Sequence, residues 1–396
     1  MTAAPLRCDV ILVSWNKLEY TKACLESFLQ CTRAEEVDYR LLIIDNGSDR
    51  EVVEYLTDFQ QRHPRVELLI NAENRGLVSA VNQGTRRSTA PFICWLNNDL
   101  LFTEGWLVAM LRVAEAHPRI GLFNPSGKLH HETPKTFAQR IVRQPRDGGA
   151  PYREVSECNG ACLLVRREVI DRIGLLDEAY ASGGMDDSDY SRRAAQAGFL
   201  CVQVNEAFVY HWENVSVNSI EGYWQRERPQ KRKMFEARWG PPRRIAVVCD
   251  EPEAPESCAV GRIETLVGLA RLGIRIQLFV LGGGHEAMRQ AQRAWRQAGT
   301  DHANFKVRWL SLWPGIPRWL GRWMARLRCV VILTSHRGKD EAKRFKGLIV
   351  LSSHGWRFME AMRWLHGIPI SRSLEACPLV TRELGWYRKL ASRSAP

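Results

Sequence analysis

The first part of the chain alternates between two hydrophobic periodicities. Runs of near-continuous apolar residues, "CDVILVSW" from Cys8, "YRLLIIDN" from Tyr39, "VELLIN" from Val66 and "FICWLNN" from Phe92, predict buried strands. Between them, "TKACLESFLQ" from Thr21, residues Glu51–Gln61, the stretch from Leu77 and residues Gly105–His117 repeat apolar positions at helical spacing, with Thr21 a plausible N-cap for the first. Such alternation predicts βαβ units, hence a mostly parallel sheet with helices on both faces and ligands bound beyond the carboxyl ends of the strands.

Those ends are polar in sequence. The first strand finishes in Ser14, Trp15 and Asn16, the second in "DNGSD" (Asp45–Asp49), the third in "NAENRG" (Asn71–Gly76) and the fourth in Asn97, Asn98 and Asp99. Asn, Asp, Gly and Ser are also ordinary turn and cap residues, so no single cluster is diagnostic. In "FICWLNNDLLF", however, three polar residues interrupt a buried pattern. Burying such groups unpaired costs about 1–3 kcal/mol each, so they call for a partner, which a metal ion or a phosphate would supply.

Length and charge add a division. At 396 residues the chain suits two domains, and "RWGPPRR", Arg238–Arg244, supplies a glycine and two prolines that stop a helix. The expected domains are therefore 1–240 and 241–396. Residues 1–240 carry 30 basic against 32 acidic side chains, whereas residues 241–396 carry 26 against 12, so the net charge of +12 belongs to the C-terminal part. No apolar run is long enough to span a bilayer and no charged-then-apolar leader is present, which predicts a cytoplasmic location. The 11 cysteines include no CxxC pair, and Cys158 and Cys162 lack nearby ligands at zinc spacing, so they read as reduced core thiols.

Taken in order, "SWN", "DNGSD", "NRGLVSAVNQG" and "LNND" resemble the N-terminal half of a family-2 glycosyltransferase with a GT-A fold, over roughly residues 8–240. The stretch from Glu157 to Phe199, with its "DDSDYSRR", is similar to the acceptor half of that family. "VYHW", Val209–Trp212, is similar to the family's final strand, from which a histidine often reaches a metal. Close kin of this type are bacterial rhamnosyl- and galactofuranosyltransferases of cell-surface polysaccharides. The resemblance implies a Rossmann-like, mostly parallel GT-A domain that transfers a sugar from a nucleoside-diphosphate donor with inversion at the anomeric carbon.

The chemistry needs three things. Breaking the bond to the anomeric carbon leaves negative charge on a diphosphate, which a divalent cation, Mn²⁺ or Mg²⁺, stabilises. The resemblance assigns that ion to Asp99 and His211, with diphosphate oxygens completing the shell. The chain departs from the family's common pair of acids here, having Asn97 and Asn98. An acceptor hydroxyl must also lose its proton, and the resemblance assigns Asp187 as the base. Two adjacent carboxylates at a helix start sit at the positive end of its dipole, and their repulsion raises the proton affinity of one of them. A pair of helix-start acids without catalytic role is the plain alternative. Asp186 stands where the family more often has Glu, and is assigned with Gly160 and Trp212 to the acceptor and sugar. Gly160 reads equally as a turn, and Trp212 equally as core. Recognition of the donor nucleotide falls to Ser14, Asn16, Asp45, Asn74, Gly76 and Asn98, with Asp45 accepting from the imino group of a pyrimidine, which favours a UDP- or dTDP-sugar.

Two other classes compete. A nucleotidyltransferase needs a glycine-rich basic loop after the first strand, and "SWNKLEYTKA" has no glycine. A nucleotide-sugar-binding scaffold without activity is countered by Asp45, Asp99 and Asp187 and favoured by the single acid of "LNND". The C-terminal part, from "RRIAVVCDE" through "IRIQLFVLGGG" to "GLIVLSSHGWRFMEAMRWL", resembles one Rossmann-like half of a GT-B glycosyltransferase, incomplete or non-catalytic. Within it, Ile316–Arg328 sets Trp319, Leu320, Trp323, Met324 and Leu327 against Arg318, Arg322 and Arg326. That pattern fits a core-facing helix with a solvated basic side, or a face lying on an anionic membrane at its inner side. The expected partners are a nucleotide-sugar and a glycan or lipid-linked acceptor, and no nucleic-acid recognition motif is present.

Overall fold

The computed structural model describes residues 6–129, 131–143, 150–240, 244–249, 266–281, 301–310 and 330–334. The chain separates into two compact units, residues 1–241 and 242–396. Ile316–Arg328 and the "GLIVLSSHGWRFMEAMRWL" segment lie outside the described residues. Among the described residues, no helix is long and apolar enough to cross a membrane.

The first unit opens as β1 (Leu6–Ser14), α1 (Leu18–Cys31), β2 (Val37–Asp45), α2 (Arg50–Arg62), β3 (Val66–Ile70), α3 (Leu77–Arg87) and β4 (Phe92–Asn97). The βαβ reading of these residues holds, with one correction. Thr21 is not the cap of α1 but lies inside it, because the helix starts at Leu18, after Asn16 and Lys17 turn the chain with φ of 53° and 58°. A left-handed turn built without glycine is rare for such residues and left no sequence signal. The unit continues as β5 (Leu100–Phe102), α4 (Trp106–Ala116), β6 (Ile120–Ser126), α5 (Pro134–Arg143), β7 (Tyr152–Val155), β8 (Cys162–Arg166), α6 (Arg167–Ile173), α7 (Asp186–Gln196), β9 (Leu200–His211) and α8 (Arg228–Trp239).

These strands form one sheet in the order β3-β2-β1-β4-β8-β6-β9-β5, with β7 also paired to β9. The first four run parallel, β8 lies antiparallel between β4 and β6, and β9 runs parallel to β6. Alternate residues of β1 face opposite ways. Val10 and Leu12 join Leu25, Phe28, Leu56, Phe59 and Trp106 from α1, α2 and α4, whereas Ile11 and Val13 join Val78, Val81, Val169, Tyr190 and Phe235 from α3, α6, α7 and α8. Both faces are therefore covered, as the continuous apolar runs require. In the second unit, β10 (Arg244–Cys249), β11 (Arg275–Leu281), β12 (Phe305–Leu310) and β13 (Val330–Thr334) form an all-parallel sheet, order β12-β11-β10-β13. That is the order of a Rossmann-like half. The seven cysteines of the first unit are free thiols, six of them buried.

One buried charge interrupts β1. The Asp9 carboxylate, 1% exposed, accepts from Arg40 Nε (3.2 Å) and Nη2 (3.0 Å) on β2 and from the Thr89 N–H (3.1 Å) ahead of β4. Burial pushes this carboxyl up, but these bonds hold it below the usual carboxylate range. A lowered acid stabilises the fold above its unfolded pKa and loses that contribution as pH falls. Asp9→Asn should therefore cost about 1–3 kcal/mol in urea unfolding at neutral pH, with the gap to the natural chain narrowing below about pH 4. A gap independent of pH would show that the charge contributes nothing.

Candidate active site

The carboxyl ends of the parallel strands finish level, with Ser14 opposite Asp45 and Val13 opposite Asn97. They open into a cleft of about 550 Å³. Of the residues named from sequence, Asn74, Gly76, Asn98, Asp99, Gly160, Asp186, Asp187 and His211 line it, whereas Ser14, Asn16, Asp45 and Trp212 do not.

The floor is a set of polar side chains that satisfy one another. The Asn98 amide donates to the buried Thr21 Oγ1 (2.9 Å) and the Asn16 carbonyl (3.4 Å), and Ser14 Oγ lies 3.4 Å from the same Thr21 hydroxyl. Asn16 is a strut as well: its N–H donates to Ser48 Oγ (2.9 Å) and its Oδ1 accepts from the Asp49 N–H (2.7 Å). Asn46, which sequence reasoning passed over in favour of its neighbour Asp45, lines the cleft. Its amide donates to Asn74 Oδ1 (2.9 Å), and its Oδ1 accepts from Asn71 and from the Arg75 N–H (3.1 Å each). Between them, Gly47 at φ 76° leaves no room for a side chain, since a Cβ would lie 2.4 Å from the Glu73 carbonyl carbon. Asp45 is fully buried; its Oδ2 accepts from the Ser48 N–H (3.1 Å) and its Oδ1 has no partner.

On one wall, Asp99 and His211 meet. The β5–β9 pairing sets Leu100 opposite His211, and the Trp212 N–H donates to the Asp99 carbonyl (3.2 Å). Asp99 Oδ1 thereby lies 3.1 Å from His211 Nε2. The separation is that of an ion pair, yet the alignment is not that of a hydrogen bond, and both atoms are buried without a partner. Two convergent electron-pair donors, one carboxylate oxygen and one imidazole nitrogen, fit a divalent cation that takes mixed oxygen and nitrogen ligands. Among the described residues no third His, Cys, Asp or Glu joins them. Trp212, half-buried, packs edge-on against Tyr20 (5.2 Å) and Tyr210 (5.5 Å).

Elsewhere along the cleft, α7 begins with the acid pair. Asp186, 7% exposed, accepts from the Gly184 N–H through Oδ1 (2.7 Å). Asp187 is half-buried; its Oδ1 accepts from the Ser188 N–H (2.7 Å) and its Oδ2 from the Gly160 N–H (3.0 Å). Gly160 therefore acts as a backbone donor that holds Asp187. Burial and the charge of Asp187 push the Asp186 carboxyl up to about 7. Burial also raises Asp187, against the pull of the Gly160 and Ser188 N–H groups and with a further push from Glu157. The remaining wall, unforeseen from sequence, is Asn214–Val217, Ile220, Tyr223, Trp224 and Arg228. These residues follow the last strand with no periodicity to mark them.

The profile of "Glycosyl transferase family 2" matches residues 9–174. The chain is 30% identical over 227 residues to an N-acetylglucosaminyl-diphospho-decaprenol L-rhamnosyltransferase of Mycobacterium tuberculosis, covering 47% of this chain and 71% of the relative. It is 24% identical over 262 residues to an uncharacterized protein, y4gI, of Sinorhizobium fredii, covering 59% of this chain but only 27% of that protein. Among solved structures, a mannosyltransferase from Pyrobaculum calidifontis in complex with GDP-Man and Mn²⁺ aligns over 75% of this chain and 74% of its own at 16% identity, with a TM-score of 0.47.

The raised Asp186 carboxyl has a measurable consequence. Its folded value of about 7 lies above the ordinary value of about 4. The folded chain thus holds a proton that the unfolded chain releases, and the stabilisation present at low pH is lost as pH rises through 7. Asp186→Asn cannot ionise, so its melting midpoint should gain on that of the natural chain as pH rises from about 4 to 8. Parallel curves for the two would remove the assignment.

Proposed function

This chain belongs to glycosyltransferase family 2, and from that membership we propose that it transfers a sugar, with inversion, from a UDP- or dTDP-sugar to a hydroxyl of a cell-surface polysaccharide or lipid-linked glycan. The observation that carries the reading is that the Asp99–His211 pair and the Asp186–Asp187 pair line one cleft. A divalent cation, Mn²⁺ or Mg²⁺, held by Asp99 and His211 would supply positive charge to the departing diphosphate.

The residues divide the remaining work. Asp187, half-buried and held by two backbone N–H groups, retains lone pairs toward the cleft, so it accepts the proton of the acceptor hydroxyl as that oxygen bonds to the anomeric carbon. The bond from that carbon to the diphosphate oxygen breaks, and its electron pair leaves with the nucleoside diphosphate. Asp186, pushed up to about 7, shares the neutral range with a bound proton, which spares Asp187 a second full charge beside it. Asp45 lies outside the cleft lining in this structure, but its Oδ1 is left unpaired, and an acceptor there suits an imino N–H such as that of uracil or thymine. Asn46 and Asn74 hold the loop that ends in Gly76, ahead of the N-terminus of α3, where an anionic or ribose contact fits.

A specific observation favours one competing reading. Asp99 is the only carboxylate of "LNND", and Asn98 beside it commits its amide to Thr21, which suits a donor-binding scaffold without turnover. Thermal unfolding with UDP, dTDP, GDP and CDP, each with and without Mn²⁺, tests the donor binding that both readings share, and a transfer assay separates them. A metal-dependent rise with UDP or dTDP is expected, about 2.7 kcal/mol when the nucleotide reaches about 100 times its dissociation constant. No rise with any nucleotide would sink both donor-binding readings. Asp187→Asn should keep that rise and lose about 10²–10⁴-fold in transfer. A variant transferring at the natural rate would remove Asp187 as the base.

A further inference from the structure

The acid pair is delivered by an unusual piece of backbone. Ala181, Gly183, Gly184 and Met185 all have positive φ, at 36°, 87°, 89° and 88°. For the two residues that are not glycine such a conformation costs about 1–3 kcal/mol each and persists only where the surroundings hold it. On one side the hold is the Ala181 carbonyl, which accepts from the Val78 N–H at the start of α3 (3.0 Å).

On the other side it is Lys231 of α8. Its side chain is 7% exposed. Its Nζ donates to the Gly183 carbonyl (2.9 Å), to Glu227 Oε2 (3.2 Å) and to Ser182 Oγ, so three donors meet three acceptors. The Ser182 hydroxyl in turn donates to Glu227 Oε2, which closes the ring. The Tyr223 ring lies 5.5 Å from the ammonium, and its hydroxyl fills the space beside Gly184, where a Cβ would come within 2.6 Å of it. An ammonium is buried at a cost unless every bond is made. Here each bond is made to the loop that precedes α7 or to Glu227.

We infer that Lys231 is a positioning residue, whose ammonium pins the left-handed loop Ser182–Met185 and so fixes where Asp186 and Asp187 stand in the cleft. Its catalytic consequence rests on the transferase reading; its geometric content does not. The ionisable groups around the pair are Glu157 and Cys158 ahead of β8, Tyr180 before the loop, and Tyr223, Glu227, Arg228 and Lys231 at the entry to α8. Of these, Lys231 opposes the burial that pushes Asp186 up.

The test uses the full chain with ¹³C-labelled aspartate carboxyls, assigned through Asp186→Asn and Asp187→Asn and titrated by NMR. In Lys231→Met the midpoint of the pair should move to higher pH, and Lys231→Arg, which keeps the charge and the donors, should restore it. Ser182→Ala, which opens the ring while keeping the ammonium, should move it the same way by less. With a UDP- or dTDP-sugar as donor, Lys231→Met should lose about tenfold or more in kcat with KM within about twofold, and its acid limb should follow the midpoint upward. An unmoved midpoint in Lys231→Met overturns the inference, as does a uniform loss at every pH that Lys231→Arg does not rescue. Should Lys231→Met not fold, an unmoved midpoint in Ser182→Ala overturns it instead. A natural chain inactive with every donor sinks the transferase reading alone, since the carboxyl titration still decides the role of Lys231.

Discussion

Polar side chains buried at the carboxyl rim of the sheet must find partners within the protein, and the site is what remains after they have done so. Each unpaired group there would cost about 1–3 kcal/mol, and the rim answers with amides that bridge loops: Asn98 to Thr21, Asn46 to Asn74, Asn16 to Asp49. Asp45 Oδ1, Asp99 Oδ1 and His211 Nε2 are left over, buried and without a partner. Two of these three converge. A protein gains nothing in stability from leaving them so, which is the usual mark of atoms kept for a ligand.

The acid pair of the cleft presents the opposite problem. There two carboxyls are crowded together at the start of α7, and burial makes at least one of them hold its proton to near neutrality. Backbone N–H groups from Gly160, Gly184 and Ser188 satisfy the oxygens, and the Ser182–Glu227–Lys231 ring keeps the strained approach in place. Burial raises both carboxyls, and the neighbouring charge of Asp187 helps to push Asp186 up to about 7.

Much of this was legible because parallel strands carry strong local signals. The apolar runs of β1, β2 and β4 marked buried strands, and their polar ends marked the rim, since a βαβ sheet aligns those ends whatever the loops do. What failed were details in which tertiary contacts outweigh local preference. Thr21 has the chemistry of an N-cap, yet it serves as the acceptor for Asn98 inside α1. Ser14 and Asn16 sit at the rim in sequence but spend their polar atoms beneath it. The Tyr223–Arg228 wall had no periodicity to announce it.

The amino-acid sequence by itself determined the alternation of strand and helix, the two-sided burial of the sheet and the polar character of its rim, because each follows from side chains a few positions apart. Only the tertiary structure decided which rim residues face the cleft and which brace it. The β5–β9 pairing brought His211 to Asp99, and the entry to α8 brought Lys231 to the loop before Asp186. Those meetings join distant parts of the chain, and whether a polar atom is spent or spare depends on the partner that arrives, which no local pattern encodes.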